Sequence, residues 1–369
     1  MKYTNFLHFF LQISIFYCIF AAKLRKIMKK SLFFACIALV LVSCKLDEGR
    51  FLTSATGSVY ECLVVCDDRV KEAVKDTMEA DMYGLPQLES YFTVSLVPED
   101  QFDSYLKANR NILRIDIDSR QYTKVKTIMT QDVWSTPQAY VRINAPSKEE
   151  FLEWWEKNGA FIREWFVREE ISRHMRFIQA DLNDQAQKWL KRARYKMFIP
   201  AEYEFIQDTT IMINDLDVNV LRCCDIRRST KHDLRKDIIV YTYPYTSQEQ
   251  FSNDSIVAMR DLIGKRLIES EIPGSYMATE WKHIPPVSRY VRPVNDTTGG
   301  FYAVETRGLW KIQDGIAMGG PFVSLTRLDQ VAGRVVHAEA FVYYPGEKKR
   351  NILRQMESIL YSIRMPNER

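Results

Sequence analysis

The chain has 369 residues, with 51 Lys and Arg against 47 Asp and Glu, and it is 46% apolar and 12% aromatic. That composition excludes a disordered polymer, and the length suits one large or two ordinary domains. The first 43 residues hold six bases and no acids, so the remaining 45 bases and 47 acids argue for no nucleic acid partner.

Residues 1–43 read as a leader. Met28-Lys29-Lys30, the apolar run from Leu32 to Val42 and the small Ser43 follow the pattern of an export signal. The run is shorter than the roughly 20 apolar residues that span a bilayer. Asn5 to Ala22 is a second apolar stretch of marginal spanning length, and the simpler reading starts translation at Met28. Leu41-Val42-Ser43-Cys44 resembles the bacterial lipobox, which implies cleavage after Ser43 and acylation of Cys44, with palmitate among the chains. The competing reading is an ordinary signal peptide with an incidental cysteine. Lys45, Asp47 and Glu48 resemble the surface-export signal of Bacteroidota lipoproteins, and Asp is absent directly after the cysteine. The expected address is the cell envelope, on the outer membrane, facing the periplasm or the exterior. The alternative is that any short tether is polar.

Residues 44–56 are then a lipidated tether, followed by domains at 57–195 and 196–369. Val59 to Cys66 is a β-branched run ending at Asp67-Asp68, and 69–82 have helical character. Strands are expected at Tyr91–Val97 and Ile112–Ile117, a short helix at 99–108, and extended chain at Val133–Ile143. Ser147 with Glu150 marks a helix start, and Asn158-Gly159 a break or kink. Beyond it Ile171, Met175, Ile178, Leu182, Ala186 and Trp189 form a stripe at helical spacing, read as core. Strands follow at Met197–Ile199, Val218–Cys223 and Ile238–Tyr243, a helix at Asp254–Ile268, and four more extended segments from Met277 to Tyr344. A last helix shows Ile352, Met356, Ile359 and Ile363 on one face. The fold class is α+β: an N-terminal sheet with packed helices, a central helical segment, and a mainly antiparallel C-terminal sheet with a terminal helix.

The lipobox, Leu85-Pro86-Gln87-Leu88-Glu89, Arg110-Asn111-Ile112, Trp134 to Gln138 and Tyr343 to Arg350 together resemble an uncharacterised Bacteroidota lipoprotein family, a domain of unknown function. The resemblance implies an envelope location and brings no catalytic residues. The C-terminal half is similar in element order to the α/β/α sandwich of PsbP-like proteins, which carries no function with it.

Candidate chemistry is sparse. Cys62, Cys66, Cys223 and Cys224 remain beyond the anchor, and export permits pairing. Cys62 and Cys66 sit four apart on a strand, roughly 13 Å, beyond the roughly 7 Å a disulfide bridges. A bond from either to Cys223 or Cys224 stays open beside four buried free thiols. His174, His232, His283 and His337 lack metal-ligand spacing, so no metal or other cofactor is expected. Asp67 and Asp68 stand where a strand hands over to a helix, an edge at which open sheets bind ligands. They suit a cation or acid–base work; the plainer reading has Asp68 capping the helix. Tyr241, Tyr243 and Tyr245 alternate onto one face that would suit a glycan or peptide, or simply belong to a sheet surface. The balance points away from an enzyme, toward a membrane-anchored binding or scaffold module with the lipid bilayer and an envelope protein or glycan as partners. The alternative is a tethered hydrolase or metal-dependent enzyme using Asp67 and Asp68.

Overall fold

The run from Val59 puts alternate apolar side chains on two faces, so it needs cover on both. In the computed structural model, which describes residues 52–229, 233–292, 303–366 and Glu368, it receives that cover. After a two-residue strand β1 (Thr53–Ser54) come β2 (Glu61–Val65), helix α1 (Lys71–Met78), β3 (Thr93–Val97), β4 (Asn111–Ile117), β5 (Lys126–Gln131), β6 (Ser135–Thr136) and β7 (Ala139–Ala145). The first sheet has the order β3-β2-β4-β7-β5, with β3, β2, β4 and β7 parallel and β5 antiparallel at the edge. β1 pairs separately with β6. The helix expected at 99–108 is instead two 3-10 turns, Glu99–Gln101 and Leu106–Ala108.

Helix α2 (Lys148–Ile178) is one continuous rod of 31 residues, started by Ser147, whose side chain accepts the Glu150 N–H. The break expected at Asn158-Gly159 is absent. Gly159 is there because a Cβ would sit 2.7 Å from the Trp155 ring, so the glycine is required by close packing and not by a change of direction. The apolar stripe does divide, but later: Asn183 caps a separate helix α3 (Asp184–Ala193), which stops at Arg194 with φ 65°. Met197–Ile199 is not a strand of either sheet, although neighbouring Lys196 makes an isolated bridge to Arg364.

The second sheet comprises β8 (Glu204–Ile213), β9 (Leu216–Arg227), β10 (Leu234–Pro244), β11 (Tyr276–Glu280), β12 (Val287–Val291), β13 (Ala303–Gln313), β14 (Gly319–Asp329) and β15 (Arg334–Tyr343). Its order is β11-β13-β14-β15-β10-β9-β8, with β12 also on β13, and all its pairs are antiparallel. Helices α4 (Asn253–Leu267) and α5 (Arg350–Tyr361) complete the chain. The fold is therefore α+β, with the antiparallel sheet and terminal helix read from the sequence.

The described residues from Thr53 onward form one compact unit. One face of the second sheet carries Ile239, Tyr241, Tyr243, Trp310 and Phe341 against Ile263 of α4. Its other face, with Ile238, Val240, Val323 and Val342, shares a continuous core with α5, α2 and the first sheet. Helices α2 and α5 thus lie between the sheets. On the far face of the first sheet Leu63, Val65 and Ile112 pack with Phe102 and Tyr140. Among the described residues no helix is long and apolar enough to cross a membrane.

Candidate functional site

The first sheet creates a crevice by its connections. From β2 the chain passes through α1, whose Val74 and Met78 join the α2-side core, to β3 on one flank. From β3 it returns along the opposite face, where Phe102 packs, to β4 on the other flank of β2. The carboxyl ends of β2 and β4 are therefore a topological switch point, where open parallel sheets leave room for a ligand. A cavity of about 650 Å³ lies there. It is lined by Cys66 to Asp68 after β2, Pro98 to Asp100 after β3, Arg114 to Ile117 on β4 and Asp118 just past it, Gln121, Tyr122 and Arg142.

Strand alternation sets the charges. Leu113 and Ile115 face α2, while Ile112, Arg114 and Asp116 face the other way. β4 pairs with β7 in a register that sets Arg114 beside Arg142. Asp116 lies between the two guanidinium groups, with Oδ1 3.2 Å from Arg114 Nε and Oδ2 2.6 Å from Arg142 Nε. Arg114 Nη2 also reaches Glu99 at 2.7 Å, and Arg142 Nη2 donates to the Tyr122 hydroxyl at 3.2 Å. Burial alone would lower the Arg142 pKa, but the hydrogen bond and charge of Asp116 outweigh it and raise it. Both cations are thus spoken for. Six carboxylates and two guanidinium groups line the crevice, and Arg69, Lys71 and Arg120 at its rim pair with Asp67, Asp68 and Asp118, which leaves a modest excess of negative charge.

Asp67 and Asp68 both stand in this lining. Asp67 accepts the Arg69 backbone N–H at 2.8 Å and its Nε at 2.9 Å. Those hydrogen bonds hold its carboxyl below the usual range, a fixed anion and a poor proton donor. Asp68 is not a helix cap: α1 begins only at Lys71, behind Val70, without a side-chain cap, because Asp67 to Val70 turn first. Its carboxylate pairs instead with Lys71 Nζ at 3.2 Å and is largely exposed.

Among the described residues no histidine lines the crevice. His174 sits on α2 against Ser358, His283 is exposed beside Glu280, and His337 is buried, stacked 4.4 Å from Tyr241. His232 lies outside the described residues. Among the described residues no group of three or more His, Cys, Asp or Glu is arranged to hold a metal ion. Cys66 borders the crevice, but burial, aided by Asp67, pushes its thiol up to about 11, the opposite of an activated nucleophile.

Two further candidate groups resolve into core. Cys62, Cys66, Cys223 and Cys224 are free and buried, so the cross-links to Cys223 or Cys224 are not formed. The tyrosine face is corrected as well. Tyr241 and Tyr243 are buried under α4, and Tyr245, beyond the end of β10, is the one left exposed. A sheet covered on both faces turns alternate tyrosines into packing.

Sequence reasoning located Asp67 and Asp68 but missed Arg114, Asp116, Asp118 and Arg142. The signal was present in Arg114-Ile115-Asp116-Ile117-Asp118, where charges recur every second residue along an otherwise apolar strand. Ser43, Cys44, Lys45, Asp47 and Glu48 lie outside the described residues.

The site and architecture define an α+β protein with a polar crevice on a parallel sheet. Its two parts match separate family models: residues 55–179 match "Domain of unknown function (DUF8532)", and residues 183–362 match "Domain of unknown function (DUF4837)". The chain therefore combines two domains of unknown function. No curated protein matches it.

Proposed function

We propose that this chain is a membrane-anchored lipoprotein of the bacterial cell envelope, held to the outer membrane through acylated Cys44, and that it acts as a binding module. The observation that supports binding is the switch-point crevice, whose carboxylates outnumber its cations and which, among the described residues, holds neither a histidine nor an activated nucleophile. Such a lining selects a cationic, hydrogen-bonding group, as on an amino-sugar glycan or a basic segment of an envelope protein. The anchor rests on Leu41-Val42-Ser43-Cys44 and the leader before it.

Two measurements test the two parts. Labelled palmitate should enter the wild-type chain and not Cys44→Ser, which should leave the membrane fraction; unchanged membrane retention would overturn the anchor. A glucosamine trimer should bind saturably, its N-acetylated counterpart should not, and the Asp67→Asn/Asp68→Asn double variant should weaken the binding. Equal binding of the two trimers, or none, would overturn the cationic ligand.

A further inference from the structure

A second cavity, about 390 Å³, lies between α2, α5 and the segment 200–203. Its walls include Phe177, Ile178, Pro200, Met356 and Ile359. Phe177 is 77% exposed, a large apolar ring left in water at a concave surface. Two bases, Arg176 and Lys236, and two acids, Asp181 and Glu202, complete the lining, so it carries no net charge. Lys236 is already held by Asp225 at 2.6 Å.

One polar group in the wall has a defined unused face. His174 Nδ1 lies 2.5 Å from Ser358 Oγ, and that hydroxyl lies 2.5 Å from the Gln355 carbonyl oxygen. A carbonyl only accepts, so the Ser358 hydrogen goes to Gln355 and its oxygen accepts from Nδ1–H. This fixes the tautomer with the proton on Nδ1 and a lone pair on Nε2. Ser358 is fully buried and does not line the cavity, whereas His174 does, so Nδ1 is committed to a group outside the lining. Burial, with Lys236 adding to it, lowers the His174 pKa to about 4 and keeps the ring neutral at ordinary pH.

We propose that this cavity binds an uncharged amphiphile, its apolar chain against Phe177, Ile178 and Met356 and its hydroxyl or amide N–H donated to His174 Nε2. The site is separate from the acidic crevice and does not depend on the function proposed for it. A pocket of this size, with an apolar wall and an oriented imidazole acceptor beside it, binds by excluding water from the chain and selects by the hydrogen bond to that acceptor.

The test uses the full chain in lipid nanodiscs and a decanol bearing a diazirine on its chain. Irradiation should label peptides that contain Phe177 and Met356. Excess 1-decanol should suppress the labelling roughly tenfold better than decyl methyl ether, which has no donor. His174→Phe should remove that preference and keep the labelling. Ala180→Trp, at an exposed position in the lining, should abolish labelling by filling the cavity. Labelling spread outside these peptides, or equal competition by alcohol and ether in the wild-type chain, overturns the proposal.

Discussion

The Glu89 carboxylate accepts the Lys349 backbone N–H at 2.8 Å and that of Arg350 at 3.1 Å, closing the first turn of α5 from 260 residues away. Helix α5 has no side-chain cap of its own and no acid in its first turn. A buried carboxylate from the loop before β3 satisfies those donors and meets the positive end of the helix dipole. Glu89→Ala should lower unfolding free energy by about 2 kcal/mol in urea titrations, and Glu89→Gln by less. Equal stability of Glu89→Ala and wild type would show that water replaces the cap.

A second tie joins α2 to the first sheet. Glu170 Oε1 accepts from Asn111 Nδ2 at 2.7 Å, and Oε2 from Arg110 Nη2 at 2.8 Å. Arg173, also buried, lies 3.1 Å from Glu170 and donates to Asn111 Oδ1 and the Arg110 carbonyl. Removing the one acid leaves a buried guanidinium short of its counter-charge. Glu170→Ala should cost about 3–5 kcal/mol, measured as a fall in the urea midpoint, and should cost more than Arg110→Ala, since Arg110 is more exposed.

Acid should weaken the fold before the carboxylates titrate. Burial lowers His174 to about 4 from its ordinary 6.5, and burial also lowers His337. Below pH 6.5 the unfolded chain takes protons at these imidazoles that the folded chain refuses, so stability falls with pH from there toward 4. Between pH 7.5 and 5 the His174 contribution should be on the order of 1 kcal/mol, after allowing for partial exposure of the ring. His174→Asn should flatten that part of the slope, and an unchanged slope would show that the ring is open to water.

Gly159→Ala tests the reading of α2 as an unbroken, tightly packed rod. Helix propensity alone would favour alanine by about 1 kcal/mol. The new Cβ would meet the Trp155 ring, which is held by hydrogen bonds from Nε1 to Thr77 Oγ1 at 2.9 Å and the Ala73 carbonyl at 3.1 Å. Net destabilisation of about 1–3 kcal/mol is expected by thermal melting. A gain in stability would mean that the ring shifts freely.

Elements with a continuous apolar run or a clean stripe were legible in the sequence: β2, β4, β10, β15, α4 and α5. The edge strands β3 and β11 were also legible, but three other strands were not. β5, β8 and β12 keep polar or exposed side chains on at least one face, and Glu204-Phe205-Ile206 contains a register shift that blurs alternation. The kink assigned to Gly159 failed because a glycine's spacing neighbour, Trp155, shows only in the folded helix. In the crevice, Asp67 and Asp68 stood at a readable strand end. Arg142 did not, because it meets Asp116 only through the pairing of β4 with β7, which no local pattern encodes. Buried pairs in the second sheet were hidden for the same reason: Arg222 finds Asp237 across strands, and Arg260 reaches from α4 to Glu339 on β15.

Helix α2 ends at Ile178, inside the first family match, yet its buried side packs on α5, inside the second. In this chain neither part can therefore change alone along that seam: a change of side-chain volume on α2 calls for an answering change on α5. A fragment severed after residue 179 would carry away the cover of its former neighbour and display its own apolar stripe. Two such fragments made together should find each other again, because each is the missing wall of the other.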